Sequence, residues 1–395
     1  MDLTYSDAEQ AFRAEAREWL EANVPRDLAS GDTAEGFAQH LEWEKKLYEA
    51  RWAVVSWPEA YGGREASLWE WLIFEEEYYR AGAPQRVTQN GIFLLAPTLF
   101  DFGTQEQQDR ILPRMAAAED LWCQGWSEPG AGSDLAALQT RAEDKGDHFL
   151  INGQKIWTSG AQFADWCFCL VRTDTTKKHE GISFVLIDMH QPGVEVRPIK
   201  LIAGNSPFCE TFFTDAVALK KNLVGPLNGG WTIGKRLLQH ERSGLSGGGG
   251  SPFGGAAKGP PDLAKDYVGV DEKGRIADTD LRSRIIQNEI DLKAFQLTAM
   301  RAMAEAKGNA SPSAATSIMK NAATSTLQQR AELTLEIMGA QGLGWEGEGF
   351  SKDELAAVRG WLGGKATTIY GGSQEIQSNI ISKRILGLPD LTQSK

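Results

Sequence analysis

The residues of this 395-residue chain that could do chemistry fall in three short stretches. In "QGWSEPGAGSD", Gln124 to Asp134, small residues and hydroxyls form a non-repetitive loop behind a strand-like run. Such a loop exposes backbone N–H groups and the Ser127 and Ser133 hydroxyls, a set that suits a polar ring edge and a phosphate. In "GQKIWTSGA", Trp157 stands beside Thr158 and Ser159 at the end of a strand. An indole with adjacent hydroxyls can stack on a flat heteroaromatic ring and bond to it. The same residues would equally suit a capped turn and a core tryptophan, and bare chemistry leaves both open. The third stretch, "TTIYGGSQEIQ", Thr367 to Gln377, is a Gly-Gly break between helical patterns, with Ser373 placed to cap the second. It offers backbone N–H groups but no acid, base or nucleophile of obvious use at its tip.

Other side chains narrow the chemistry. The five histidines, at 40, 148, 179, 190 and 240, are scattered without ligand spacing, so no metal is expected. No CxxC occurs among Cys123, Cys167, Cys169 and Cys209. Cys167 and Cys169 lie two apart in an apolar strand-like run and are expected to face one side of a sheet as small buried residues. "GLGWEG", Gly342 to Gly347, matches GxGxxG by letter but follows a helical pattern and opens no βαβ unit, so it is not read as a nucleotide fingerprint.

The elements that must position these stretches change period twice. Residues 1–119 read as an N-terminal helical domain, with capping-box patterns at Ser6/Glu9, Ser67/Glu70 and Thr104/Gln107. Residues 120–226 read as short β-rich runs, and Asn152-Gly153 predicts a hairpin turn. Residues 227–395 return to helical patterns, interrupted by a Gly- and Pro-rich patch from Ser243 to Asp266. Helix there would cost about 1 kcal/mol per Gly and about 3 per Pro, so a long loop is expected. The order α, β, α without βαβ alternation gives an α+β class and argues against a doubly wound sheet.

Thirteen tryptophans are expected to be mostly core. A net charge of −12 argues against nucleic acid or an anionic membrane as the main partner. No apolar run is long enough to span a bilayer, and the acidic N-terminal stretch has no signal-peptide pattern, so the expected compartment is the bacterial cytoplasm, without membrane insertion.

Together, "WSEPGAGSD", "GQKIWTSGA" about twenty residues later and "TIYGGSQEIQSNIISKRILGLP" near the end resemble the flavin-dependent acyl-CoA dehydrogenase family, in order over nearly the whole chain. The resemblance implies an N-terminal helical domain, a central barrel- or sandwich-like β-domain and a C-terminal four-helix bundle. It also implies FAD in extended form, held between the β-domain and the bundle and partly by a neighbouring subunit. By position, Gln124 to Ser133, with Gly132 in it, corresponds to the loop along the flavin. Ser127 falls where a hydroxyl meets the pyrimidine part of the ring, and Ser133 where the CoA ligand is also met. Trp157 falls beside the isoalloxazine, with Thr158 next to it, and Ser159 where a hydroxyl bonds flavin N5. Ser373, Gln374 and Glu375 fall at FAD contacts, Glu336 and Gly339 at FAD contacts across the interface, and Gln239, Arg242 and Tyr370 along the substrate.

Family members remove a proton from the carbon α to a thioester while hydride leaves the β carbon. Many carry the base directly after the C-terminal Tyr, where this chain has Gly371. A branch similar to isovaleryl-CoA and long-chain dehydrogenases carries a Glu on a bundle helix just before an Arg, and "RLLQHERSGL" offers Glu241 and Arg242 there. Glu241 is therefore the expected base, and the Gly371 N–H an expected donor to the thioester oxygen. The pattern departs where members carry an Arg followed by Phe-Gly for the neighbour's FAD pyrophosphate. This chain reads "DTDLRSRIIQNEI", with Arg282 or Arg284 as substitutes, Glu336 in place of a Gln and Ala340 in place of a Gly. Either a homodimer or homotetramer uses another set of cations, or a related chain supplies the Arg in an α2β2 heterotetramer. The Gly-rich patch beside the base suggests a bulky or functionalised acyl group, or else a surface insertion. The implied activity is desaturation of an acyl-CoA in fatty-acid-type β-oxidation, with an electron-transfer flavoprotein as acceptor. Alternatives on the same fold are a flavin oxidase or monooxygenase, and a partner subunit without turnover.

Overall fold

The computed structural model describes residues 5–247, 258–306 and 316–389, with the backbone alone for 240–247, 303–306 and 316–317. The chain divides into two compact units, one of Asp7–Lys200 with Asn205–Gly244 and one built mainly of Leu245–Lys395.

The first unit begins with helices α1 (Asp7–Asn23), α2 (Ala34–Glu49), α3 (Leu68–Arg80), α4 (Ala96–Phe102) and α5 (Gln105–Ala116). α3 and α5 start at the expected capping boxes. The Ser67 hydroxyl accepts from the Glu70 N–H at 3.2 Å and the Glu70 carboxylate from the Ser67 N–H at 2.7 Å, and Thr104 and Gln107 do the same. The helices bury an aromatic core. Trp52 stacks on Phe74 at 5.4 Å, and the buried Trp43 satisfies its indole N–H on the Tyr78 hydroxyl at 2.9 Å.

The strands are β1 (Trp122–Gly125), β2 (Arg141–Asp144), β3 (His148–Ser159), β4 (Trp166–Arg172), β5 (Ile182–Asp188), β6 (Val194–Ile199), β7 (Phe208–Leu219) and β8 (Leu223–Val224). They form one sheet in the order β6-β7-β3-β2-β4-β5-β8, with β1 parallel to β4. Both faces of β4 are covered, which is why it reads as a continuous apolar run. Phe168 and Leu170 join the helical core, while Cys167, Cys169 and Val171 join a second core on the opposite face. The two cysteines thus share one buried face, as their spacing predicts, and Cys123 lies opposite Cys167 in the β1–β4 register.

The expected hairpin at Asn152-Gly153 is not there. β3 runs straight through it, and the β2–β3 turn is at Gly146, with φ 96° and a Lys145 N–H to His148 carbonyl bond of 2.9 Å. The dipeptide signal is local, and the twelve-residue β7 pairing along β3 on both sides of it outweighs that signal. Asn152 instead exchanges two bonds with Asp215 on β7. Gly153 lets Thr140 approach so closely that a Cβ would lie 2.5 Å from its hydroxyl oxygen.

Helix α6 (Gly230–Gly247) follows the sheet, and α7 (Pro260–Tyr267) comes next. The loop expected from Ser243 to Asp266 is therefore helical at both ends, while 248–257 lie outside the described residues. Pro260 and Pro261 occupy the first turn of α7, where a missing N–H costs nothing, behind Gly259 as N-cap. The second unit continues with α8 (Thr279–Ala306), α9 (Thr316–Met338), α10 (Lys352–Gly364) and α11 (Gln374–Ile380). Ala264, Ile276, Leu281, Ile285, Leu333 and Ile337 form a core among α7, α8 and α9. Among the described residues no helix is long and apolar enough to cross a membrane.

Candidate active site

In the first unit the two predicted stretches meet. The loop leaves β1 at Gly125, and the Ser127 carbonyl accepts from the Ile156 N–H of β3 at 2.9 Å. Its tip is open: a Cβ on Gly130 or Gly132 would touch nothing within 4 Å, and Ser133 is exposed. The Gln124 amide and the Ser127 and Ser133 hydroxyls bond to no partner among the described residues, and the buried Trp126 indole N–H is likewise unsatisfied. Three residues beyond Ile156, β3 ends at Ser159, whose carbonyl accepts from the Asn90 side chain at 3.1 Å. Asn90 opens a one-turn π-helical segment, Asn90–Leu95, a deformation frequent at functional sites.

Trp157 sits between these points on a β-bulge, where the β3–β7 register shifts between Ile156 and Thr158. Its φ is 62°, a left-handed value unusual for a bulky residue; the residue is 51% exposed, with its ring edge-on to Phe208 at 6.0 Å. It is thus not the core tryptophan that the sequence also allowed. Thr158, fully buried, bonds the Cys209 carbonyl at 2.9 Å and the Thr211 hydroxyl at 2.8 Å. Its hydroxyl is therefore committed inward, and only its backbone is left to face a ligand.

Sequence reasoning passed over the pair that ties loop to strand. Lys155, fully buried, donates to the Trp126 carbonyl at 3.1 Å and to Glu128 at 2.8 Å. Glu128 also accepts the Gln139 and Thr140 N–H groups at 2.7 and 2.9 Å. Burial alone would raise the Glu128 carboxyl; the Lys155 charge and these hydrogen bonds outweigh it and hold it below the usual range. The available signal was period: Lys155 shares its face of β3 with the buried Ile151. Arg172 holds the end of the same loop through the Ala136 and Leu138 carbonyls, at 2.7 and 3.1 Å.

Gln239, on α6, is exposed and accepts from Arg236 at 3.2 Å. Glu241 and Arg242 belong to the same helix, and their side chains lie outside the described residues.

In the second unit the Gly-Gly break is a left-handed pair, with φ 65° at Gly371 and 89° at Gly372, which any Cβ would strain. The buried Lys320 donates to the Gly372 carbonyl at 2.8 Å, and the Gln377 amide to the Gly371 carbonyl at 3.3 Å. The Gly371 N–H has no partner among the described residues, so the turn leaves a donor beside the half-exposed Tyr370. Ser373 caps α11 by accepting from the Ile376 N–H, and Gln374 donates to Ser325 at 3.2 Å. Glu375 is held below the usual carboxylate range by its own backbone N–H and the Ser373 hydroxyl.

Two side chains considered for a neighbouring cofactor bond to each other instead. Arg284 and Glu336 form a two-pronged ion pair with both distances 2.6 Å, and the Arg284 hydrogen bond lowers the Glu336 carboxyl. The acid at 336 is therefore compensated within its own unit, and Arg284 is committed to it. Arg282 donates to the Ile276 carbonyl at 3.0 Å. Gly339, with φ 57°, ends α9, and Ala340 follows in a short 3-10 turn.

A loop with unpaired hydroxyls, an amide and open glycines, set beside an exposed indole, fits the edge and face of a flat ring with polar atoms on its rim. FAD meets that description. Three family descriptions match in succession: acyl-CoA dehydrogenase N-terminal domain over residues 6–119, middle domain over 123–216 and C-terminal domain over 228–386. The chain is 38% identical to acyl-CoA dehydrogenase IpdE1 of Mycolicibacterium smegmatis, over 96% of this chain and 98% of that protein. Among solved structures it is similar to the Tcur3481-Tcur3483 steroid ACAD, with a TM-score of 0.85 and 30% identity over 98% of this chain and 100% of that one. It is also similar to the ChsE4-ChsE5 complex from Mycobacterium tuberculosis, with a TM-score of 0.80 and 27% identity over 99% and 100% of the two chains.

Proposed function

The chain belongs to the acyl-CoA dehydrogenase family, and from that premise we propose that Glu241 is its base, that its acyl group is bulky, and that a related second chain completes its assembly. It is an FAD-dependent oxidoreductase of acyl-CoA thioesters. When bound, FAD supplies the acceptor for the hydride that leaves the β carbon.

The rest is work for this chain's own residues. Ser127, Ser133 and Gln124 have polar groups without partners among the described residues, suited to the ring edge and phosphates, and Trp157 has an exposed face for the ring. The Ser159 hydroxyl stands at the end of β3, one residue past the inward-bonded Thr158. The α proton is a weak acid, so its removal needs charge stabilisation at the thioester oxygen, and the N–H of Gly371, which has no partner among the described residues, is suited to give it. Glu241 then takes the proton, and exclusion of water by the acyl chain favours that transfer by raising the affinity of its carboxylate for a proton. The observation that carries this assignment is the left-handed Gly371-Gly372 turn. It holds a donor and no acid where many relatives hold the base, while the sequence of α6 carries a Glu-Arg pair in the pattern of the other branch.

Replacing Glu241 by Gln tests it. The variant should keep FAD but lose the bleaching of the flavin absorption by substrate, and bleaching at the wild-type rate would overturn the assignment.

The bulky substrate is supported by the likeness to a steroid ACAD, and the proposed setting is a β-oxidation-type sequence in the bacterial cytoplasm. A polycyclic acyl-CoA should reduce the flavin faster than straight medium chains, and turnover confined to the latter would exclude it. The second chain is supported by Arg284 and Arg282 being bonded within their own unit, and by two-chain names among the similar structures. An electron-transfer flavoprotein is the proposed acceptor. A stable, flavin-loaded and active homo-oligomer of the chain alone would refute the need for a second chain.

A further inference from the structure

The Trp157 bulge is held by buried polar anchors on both sides. Two residues before it, the Lys155 ammonium reaches the Trp126 carbonyl and the Glu128 carboxylate. One residue after it, the Thr158 hydroxyl reaches the Cys209 carbonyl and Thr211. A left-handed aromatic residue persists only where its surroundings over-determine it. Glu128 has a second task. It closes the loop on itself by accepting the Gln139 and Thr140 N–H groups, eleven and twelve residues further on. One carboxylate thus gathers both ends of the loop that carries Ser133 at its tip and fastens them to the strand that carries Trp157 and Ser159. Around the tip there is open space at Gly130 and Gly132, while Ala131 between them is buried and exchanges two backbone bonds with Glu128, so the tip too is tied back to this residue.

The geometry points to the Glu128–Lys155 pair as the positioning device of the flavin site, setting the loop that edges the ring against the strand end that faces it. This rests on the placement of the flavin given above. Neither side chain need touch the cofactor. A ligand held from two sides binds tightly only if both sides are already in register, because ordering them on binding subtracts from affinity. Breaking a buried pair by removing one partner leaves the other charge uncompensated, so the loss is larger than that of a surface pair.

The test uses the enzyme assembled with any chain it requires, comparing Lys155→Met, Glu128→Gln, the double variant and Lys155→Arg. FAD affinity and the fine structure of the flavin visible band are read beside thermal unfolding. Lys155→Met is expected to weaken FAD binding on the order of ten- to a hundredfold and to broaden the band. Glu128→Gln, which keeps an oxygen for the loop N–H groups, should lose less. The double variant should bind better than Lys155→Met alone, because no unpaired carboxylate is left, and Lys155→Arg should recover part of the affinity.

Glu77→Gln is the control for stability alone, since Glu77 is buried and ion-paired among the N-terminal helices. It should lower the unfolding temperature with affinity and spectrum unchanged. If Glu128→Gln and Lys155→Arg behave like Glu77→Gln, the positioning role is overturned, even where Lys155→Met does not fold. A Ser159→Ala arm separates this from the placement itself. An altered spectrum in Ser159→Ala with unchanged affinity in the pair variants refutes only the positioning role. A wild-type spectrum in Ser159→Ala overturns the flavin placement and the inference with it.

Discussion

Replacing Trp157 by Ala and by Gly, in parallel, isolates the backbone conformation at the bulge. In an ordinary strand Gly is less stable than Ala by about 0.5–1 kcal/mol, because it has more freedom to lose. At φ 62° the order should reverse, since a Cβ in the left-handed region costs roughly 1–2 kcal/mol and Gly avoids it. The ring adds a second quantity. Truncating a fully buried Trp costs about 3–5 kcal/mol, and with the Trp157 side chain half exposed the loss should be about 2. Trp157→Ala keeps the strain and should lose about 2 kcal/mol, whereas Trp157→Gly recovers about 1 of it and should lose about 1. Urea unfolding of the flavin-free protein reads this difference from the midpoints if the slopes agree. Both variants lose the same indole, so both should weaken FAD binding alike, by about tenfold for a stacking contribution near 1.4 kcal/mol. If the Ala variant equals or exceeds the Gly variant in stability, the left-handed bulge is wrong. If both lose more than about 4 kcal/mol, the ring is core rather than an open wall.

Two further outcomes follow from charged pairs on opposite sides of the energetic scale. Glu77 is buried against Arg13, Arg17 and Arg80; burial alone would raise its carboxyl, but the three arginines bring it down to about 2. Its stabilisation is therefore complete above the unfolded carboxyl pKa near 4.5 and is lost as pH falls through about 2. That loss is of order 2 kcal/mol once screening at the half-exposed Arg17 and Arg80 is allowed for. The gap between the urea midpoints of wild type and Glu77→Gln should thus begin to narrow below about pH 5 and close only as pH falls through about 2, and a constant gap would contradict the ion-pair account. The Arg284–Glu336 pair is half exposed, so Glu336→Gln should change stability by less than about 1 kcal/mol. It should, however, release Arg284, and the flavin-to-protein ratio of the chain purified without a partner should rise. No rise would mean that Glu336 is not what withholds this cation.

Much of this protein is written locally. The capping boxes at Ser67 and Thr104, the Ser373 cap and the shared face of Cys167 and Cys169 follow from bonds and periods spanning two to four residues, and each was readable in the chain. So was the α, β, α order, and the absence of a carboxylate at Gly371 set against Glu241. What the sequence could not decide is which distant residues meet. Asn152-Gly153 has every mark of a turn, yet β7 takes it into a continuous strand. Trp157 has no left-handed preference, yet a register shift imposes it. Glu128 and Lys155 lie 27 residues apart, and Arg284 and Glu336 lie 52 apart. A short stretch of chain records its own hydrogen-bonding options, whereas pairs such as these are selected by strand register and helix packing, where the free energy depends on contacts that no local pattern encodes.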